Sequence, residues 1–495
     1  MRLRHRGVRP HLALCLAVII LLGGCAVAHT RPQAAPRSPG SELVERMTFP
    51  PLDLTVPRVG REVERRVLPN GLVLYLASDP SLPVLKAYAL FRAGSLYEEP
   101  SRPGVAQFTA AQLRSGGTEG MSSAALNEEL EVLGISVEAG VAPETISVSM
   151  SALAKDADRA LDLLADMLRR PAFDTVPLET YRGRVIEDLR RVAENPSRLM
   201  MREFSRVMYT EAHPLGRPLT PAQAAAIRRE DLLAHFRRLL RPDNMFLAVV
   251  GDFSVEELAA KIQARLADWS AVGPLDLPTP PAVVPRVDRT VYLVPRDLTQ
   301  ANVVVGHFGI RRSNPDRYAI QILDMILGGS GFSSRIVERV RTEEGLAYSV
   351  SSSFPTTTRD IGLFRVTLQT KTANVPRAVG VILEEMARIR ESPVTAAELA
   401  GAKDAIINSF VFRFTSRFSV VTQLLALEFD GYPLDYLDTL LDRYRAVTRE
   451  DVQRVARRYL RPDDATVLVV GGTARLESAL AALGPVNRLP VPAAE

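Results

Sequence analysis

The sequence predicts an α+β protein built from two homologous domains, each a mainly antiparallel sheet with helices packed on it. Three observations carry this. Two segments 220 residues apart repeat one another, strands and helices mix irregularly within each half, and a proline-dense break separates the halves.

The repeat is the sharpest of the three. Arg229-Glu230-Asp231 and Arg449-Glu450-Asp451 share the offset with Arg237-Arg238 and Arg457-Arg458, Arg241-Pro242-Asp243 and Arg461-Pro462-Asp463, and Val249-Val250-Gly251 and Val469-Val470-Gly471. Without a gap, 12 of the 23 positions from 229 to 251 are identical in the second copy. Each copy reads as an amphipathic helix, a Pro-Asp turn and an apolar strand ending at glycine. A period this long excludes a solenoid and indicates a duplicated domain.

The remaining elements follow in order. Residues 71–76 and 84–91 read as strands of one sheet, 124–132 as a helix, 135–141 and 145–150 as a strand pair, and 156–170 as a helix with apolar residues at helical spacing. Strand pairs interrupted by helices favour α+β over a regular βαβ alternation. In the second half, Thr395-Ala396-Ala397-Glu398 after Pro393 predicts a capping box opening a long helix. Gly328-Gly329-Ser330-Gly331 lacks the Lys-Ser/Thr of a phosphate loop and reads as a turn closing a helix.

The amino terminus reads as a secretory signal. Arg2, Arg4, Arg6 and Arg9 precede an apolar run from Leu12 to Leu22, too short for a comfortable membrane span. Leu22-Gly23-Gly24-Cys25 resembles a bacterial lipobox, which implies cleavage before Cys25 and lipid on its thiol. Ala26 in place of Asp favours the outer membrane, with the protein facing the periplasm. The expected boundaries are a signal peptide (1–24), a tether (25–55), a first domain (56–272), a linker (273–288), a second domain (289–485) and a tail (486–495). The net charge of +4 equals that of the four signal arginines, so the mature chain is formally neutral and nucleic acid is not an expected partner. Cys15 leaves with the signal and Cys25 is the acyl acceptor, so packed cores rather than a disulfide must stabilise the fold.

The most telling stretch is Gly104-Val105-Ala106-Gln107-Phe108-Thr109-Ala110-Ala111-Gln112-Leu113, closing on Gly116-Gly117-Thr118 and preceded by Phe91–Ser95 and Glu98. It resembles the active-site helix of the pitrilysin/insulinase/processing-peptidase family. In that family a His-x-x-Glu-His motif binds zinc through two His and carries the general base on the Glu. The corresponding positions here are Gln107, Ala110 and Ala111, and the third ligand position falls by spacing on Asp188, with Glu187 beside it. An alanine methyl has no lone pair, so neither a metal nor a proton can be handled there. No intact catalytic set and no metal site are expected in this chain.

Other motifs extend the resemblance over nearly all of the mature chain. They are His213-Pro214-Leu215-Gly216-Arg217, Gln300, Pro315-Asp316-Arg317-Tyr318, Leu327-Gly328-Gly329, Ser333-Ser334-Arg335 and Arg341-Thr342-Glu343-Glu344-Gly345-Leu346-Ala347-Tyr348. The resemblance implies paired domains forming a half-clamshell around an unfolded peptide, with Arg341 and Tyr348 reaching the substrate backbone. The competing reading of this pair has Arg341 bonded to Glu343 or Glu344 and Tyr348 merely packing. Of the remaining histidines, His235 reads as a surface residue, His307 as a core or cleft residue and His213 as a loop residue. No two of them have metal-ligand spacing.

The resemblance implies a non-catalytic subunit that binds peptide and completes the chamber of a zinc-bearing homologous partner, with zinc in that partner. Two alternatives stay open: an active metalloendopeptidase with a rearranged metal site, and a structural scaffold of an envelope complex.

Overall fold

A computed structural model describes residues 56–284, 288–472 and 474–491, together with positions 40, 43, 46 and 47. The signal peptide, Cys25 and most of the tether lie outside the described residues. Residues 273–284 of the expected linker form neither helix nor strand.

The first sheet contains β1 (Glu64–Val67), β2 (Val73–Ser78), β3 (Val84–Phe91), β4 (Ser136–Val141), β5 (Ile146–Leu153) and β6 (Met245–Gly251) in the order β1-β2-β6-β3-β5-β4. Only β2 and β6 run parallel; the other neighbours are antiparallel. In the second half, β7 (Thr290–Pro295), β8 (Gln300–Phe308), β9 (Ile310–Arg311), β10 (Ala347–Ser353), β11 (Thr356–Thr357), β12 (Leu363–Lys371), β13 (Thr466–Gly471) and β14 (Val486–Arg488) follow. Six of these form a sheet in the order β10-β12-β8-β13-β7-β14, and β9 pairs with β11 separately.

The two sheets share a topology. The parallel pair β2–β6 has its counterpart in β7–β13, and both sheets continue antiparallel through β3–β5–β4 and β8–β12–β10. The repeated helices are Arg229–Leu239 and Arg449–Tyr459, each with two acidic residues in its first turn and two arginines in its last. Charges so arranged oppose the helix dipole. The strands that follow end at Gly251 and Gly471. Residues 486–488, assigned to a tail by sequence, instead pair with β7 as β14. At Thr395 the side chain accepts from Glu398 N and the Glu398 carboxylate accepts from Thr395 N, the predicted capping box. The glycines at 328 and 329 lie in a π-helical turn, Met325–Gly329, with Gly328 against Ser352 of β10.

The halves are held together by exchanged helices. Helix Pro196–Tyr209 of the first half packs on β8 and β13 of the second sheet. Its Leu199, Phe204 and Met208 share a core with Val304, Leu468 and Val470. Gly306 permits the approach, since a Cβ there would meet the Phe204 ring at 2.9 Å. Reciprocally, helix Arg417–Phe429 of the second half packs on β2 and β6. Its Glu428 accepts from Arg65 Nε (2.7 Å), Arg65 Nη2 (2.6 Å) and Tyr75 Oη (2.5 Å). Further ties are Tyr209 Oη to the carbonyl of Ile361 (2.7 Å) and the amides of Thr358 and Arg359 to Glu144.

Candidate functional site

Helix Val105–Ser115 is held at its start by Glu98, whose carboxylate accepts from the amides of Gly104 and Ala106, each at 2.9 Å. These are two of the donors that a helix N-terminus leaves unsatisfied. Gly104 turns the chain into the helix at φ 91°. Burial pushes the Glu98 carboxyl up to about 7, against the opposing pull of those amides and of Arg217. The helix buries Val105, Ala106, Phe108, Ala110 and Leu113 in the first core and lies beside β4. Arg114 Nε donates to the Val137 carbonyl of that strand at 2.9 Å.

Gln107 is half-buried, and its Nε2 donates to the Tyr181 hydroxyl at 3.1 Å. Ala110 is 1% exposed, and Ala111 is half-buried with its carbonyl accepting from Ser115 Oγ at 3.0 Å. Tyr181, on helix Thr175–Arg190, packs edge-on to Phe108 with ring centroids 5.1 Å apart. Asp188 lies two turns further along that helix, exposed, and acts on Tyr181 through its charge. Glu187 is paired with Arg191 at 2.7 Å.

The structure thus joins Gln107 to Tyr181, a residue the sequence reading missed. Its position seven residues before Asp188, on the same helical face, was the available signal. Zinc needs imidazole, thiolate or carboxylate donors in a tetrahedral set, and two methyls and a committed amide do not fit it. Among the described residues, no group of three or more His, Cys, Asp or Glu side chains is arranged to hold a metal ion.

The histidines are occupied elsewhere. His235, expected at the surface, is buried, with its Nε2 2.9 Å from the Ala93 carbonyl just beyond β3, because helix Val105–Ser115 packs against the helix that carries it. Burial lowers it to about 4, as it does His307. His307 is a core residue, stacked on Phe364 and accepting at Nε2 from the Arg461 amide (3.2 Å). His213 is also buried; its Nδ1 accepts from the Leu215 amide (3.1 Å), so the proton sits on Nε2, facing Asp360.

Arg341 and Tyr348 come together in the second half. A π-helical segment, Glu338–Glu343, carries Arg341, and Gly345 at φ 60° turns the chain into β10. The pairing of β10 with β12 shifts register between Ala347 and Ser349, so Tyr348 is the bulged residue. A bulge re-aims its side chain, and Tyr348 is 84% exposed. The Arg341 guanidinium lies 4.8 Å from the Tyr348 ring centroid. Glu344 is engaged by Arg377 (2.6 Å) and Arg339 (3.5 Å). Because β10 ends its sheet among the described residues, one backbone edge next to this pair has no strand partner there.

Comparison with known proteins agrees with this architecture. The family described as "Insulinase (Peptidase family M16)" matches residues 74–222, and "Peptidase M16 inactive domain" matches 226–406. An uncharacterized zinc protease of Streptomyces coelicolor is 26% identical over 404 residues, covering 80% of this chain and 86% of its own. A Helicobacter pylori protein named a non-peptidase homolog is 22% identical over 393 residues, covering 79% of this chain and 89% of its own. The crystal structure of a peptidase M16 inactive domain from Pseudomonas fluorescens superposes with a TM-score of 0.74 at 24% identity, over 83% of this chain and 98% of that one. With both halves matched in order and the duplicated six-stranded sheets in place, the chain belongs to the insulinase family of peptidases, M16.

Proposed function

We propose that this protein is a non-catalytic M16 subunit that binds peptide and completes the chamber of a zinc-bearing homologous partner. One observation carries the reading: methyl groups stand at two of the three motif positions, while Arg341 and Tyr348 remain together beside an open sheet edge. Arg and Tyr can donate hydrogen bonds to a peptide carbonyl, and an open edge can pair with an extended peptide backbone. The relative named a non-peptidase homolog supports the same reading. In this proposal the partner supplies zinc and the general base. Lipid on Cys25 tethers the complex to the outer membrane, facing the periplasm.

The test is co-purification with a zinc-bearing M16 homologue and assay of unfolded-peptide cleavage. Arg341→Ala with Tyr348→Phe is expected to leave assembly intact and lower turnover on the order of a hundredfold, the scale of a lost oxyanion donor at about 3 kcal/mol. Unchanged turnover in an assembled, zinc-loaded complex refutes the peptide-binding role and favours the scaffold reading. Chelator-sensitive cleavage by this chain alone, with one zinc bound per chain, refutes the non-catalytic reading.

A further inference from the structure

In the second half, a cavity of about 230 Å³ is bounded by the helices Arg317–Asp324, Arg417–Phe429 and Tyr436–Ala446. Three arginines line it: Arg312, Arg317 and Arg413. Arg312 is neutralised by Asp430, the acidic side chain in the lining. Neither Arg317 nor Arg413 has a carboxylate within ion-pair distance among the described residues.

Arg317 is the centre of the arrangement. Its guanidinium packs against the rings of Tyr318, Tyr432 and Tyr436 at 4.5, 5.2 and 5.7 Å. It donates to the Arg312 carbonyl (3.0 Å) and the Tyr318 hydroxyl (2.5 Å), and its Nε is buried with no hydrogen-bond partner. Arg443 adds a further positive charge over Tyr318, at 5.6 Å. Both Arg413 and Arg317 act by charge on Tyr444.

The lining's one carboxylate and the Gln321 amide oxygen are already committed. Asp430 serves Arg312 and Thr358, and Gln321 Oε1 accepts from Tyr444. Guanidinium offers donors only, in a fork that matches oxyanion geometry. A concave space with surplus positive charge and surplus donors therefore lacks what an oxyanion supplies. Its size is below the range of about 300–1,000 Å³ usual for larger organic ligands. We propose that this cavity binds a small divalent oxyanion of the phosphoryl class, either free phosphate or the phosphoryl group of a small headgroup. The site is independent of the peptide-binding reading.

Calorimetric titration of the full mature chain at constant ionic strength tests this, with inorganic phosphate, glycerol 3-phosphate and succinate as separate probes. Saturable one-to-one phosphate binding is expected. Arg317→Gln should weaken it about tenfold or more, as loss of a charge-assisted donor implies. Arg413→Ala should weaken it about threefold or more, and because Arg413 is exposed, that variant keeps the fold if Arg317→Gln does not. Tighter binding of glycerol 3-phosphate than of phosphate identifies a headgroup source, and the reverse identifies the free ion. No saturable binding, unchanged affinity in Arg413→Ala, or tighter binding of succinate overturns the proposal.

Discussion

Glu428→Gln should destabilise the protein by about 2–3 kcal/mol, because one carboxylate ties the second half's exchanged helix to the first half's sheet. The carboxylate accepts two hydrogen bonds from Arg65 and one from Tyr75. The amide keeps the shape but turns an NH₂ toward a donor and leaves Arg65 without its counter-charge. Breaking a buried pair in this way costs about 3–5 kcal/mol. Arg65 and Glu428 retain 26% and 19% exposure, so partial hydration of the orphaned guanidinium reduces that figure. Urea unfolding followed by circular dichroism reads the loss. A cycle with Arg65→Gln should return a coupling of about 1 kcal/mol or more. The pH dependence gives an independent check. Burial raises the Glu428 carboxyl, but the Arg65 and Tyr75 hydrogen bonds outweigh it and hold the group below its usual range. Its contribution is thus present above the unfolded-state value near 4.3 and fades as pH falls through the folded one. Only the wild type should show that acid-side loss. A change below about 0.5 kcal/mol, or additive single variants, would refute the reasoning.

Phe204→Ala, at 0% exposure on the other exchanged helix, should cost about 3–5 kcal/mol in the same assay. Glu98 has a folded-state value near 7, above that of the unfolded chain, so its ionisation opposes folding. Stability should therefore fall between about pH 4.5 and 7, and Glu98→Gln should flatten that limb in pH-dependent melts. Restoring the family motif with Gln107→His, Ala110→Glu and Ala111→His should lower the melting temperature. Ala110 is fully packed, and a carboxylate inserted there costs about 1–3 kcal/mol in crowding before any metal binds. Calorimetry of the metal-free triple variant against the wild type checks this.

Local chemistry was legible in the sequence where it repeats or caps. The 220-residue offset located both repeated helices and both glycine-terminated strands, and residues 84–91 were read as β3 end to end. The resemblance of the stretch from Gly104 to Thr118 to the family's zinc-binding helix picked out Gln107, Ala110 and Ala111. Partners distant in sequence were not legible. Periodicity shows which face of a helix is apolar but not which element covers it, so His235 was read as exposed and the exchange of helices was not foreseen. Tyr181 is 74 residues from Gln107, and its place on the Asp188 face of its helix was the one signal that pointed toward their hydrogen bond. The bulge that exposes Tyr348 depends on its register with β12, which residue pattern alone does not set.

The exchanged helices also constrain the order in which the chain can become native. Helix Pro196–Tyr209 leaves the ribosome long before β13, at Thr466–Gly471, has been made. Until then Phe204 and Leu199 have no sheet to cover them. The first half therefore cannot mature as an autonomous piece during synthesis, as amino-terminal domains commonly do. Cutting the chain within residues 273–284 would yield two fragments, each with a solvent-exposed apolar surface, and complementation would require both fragments together.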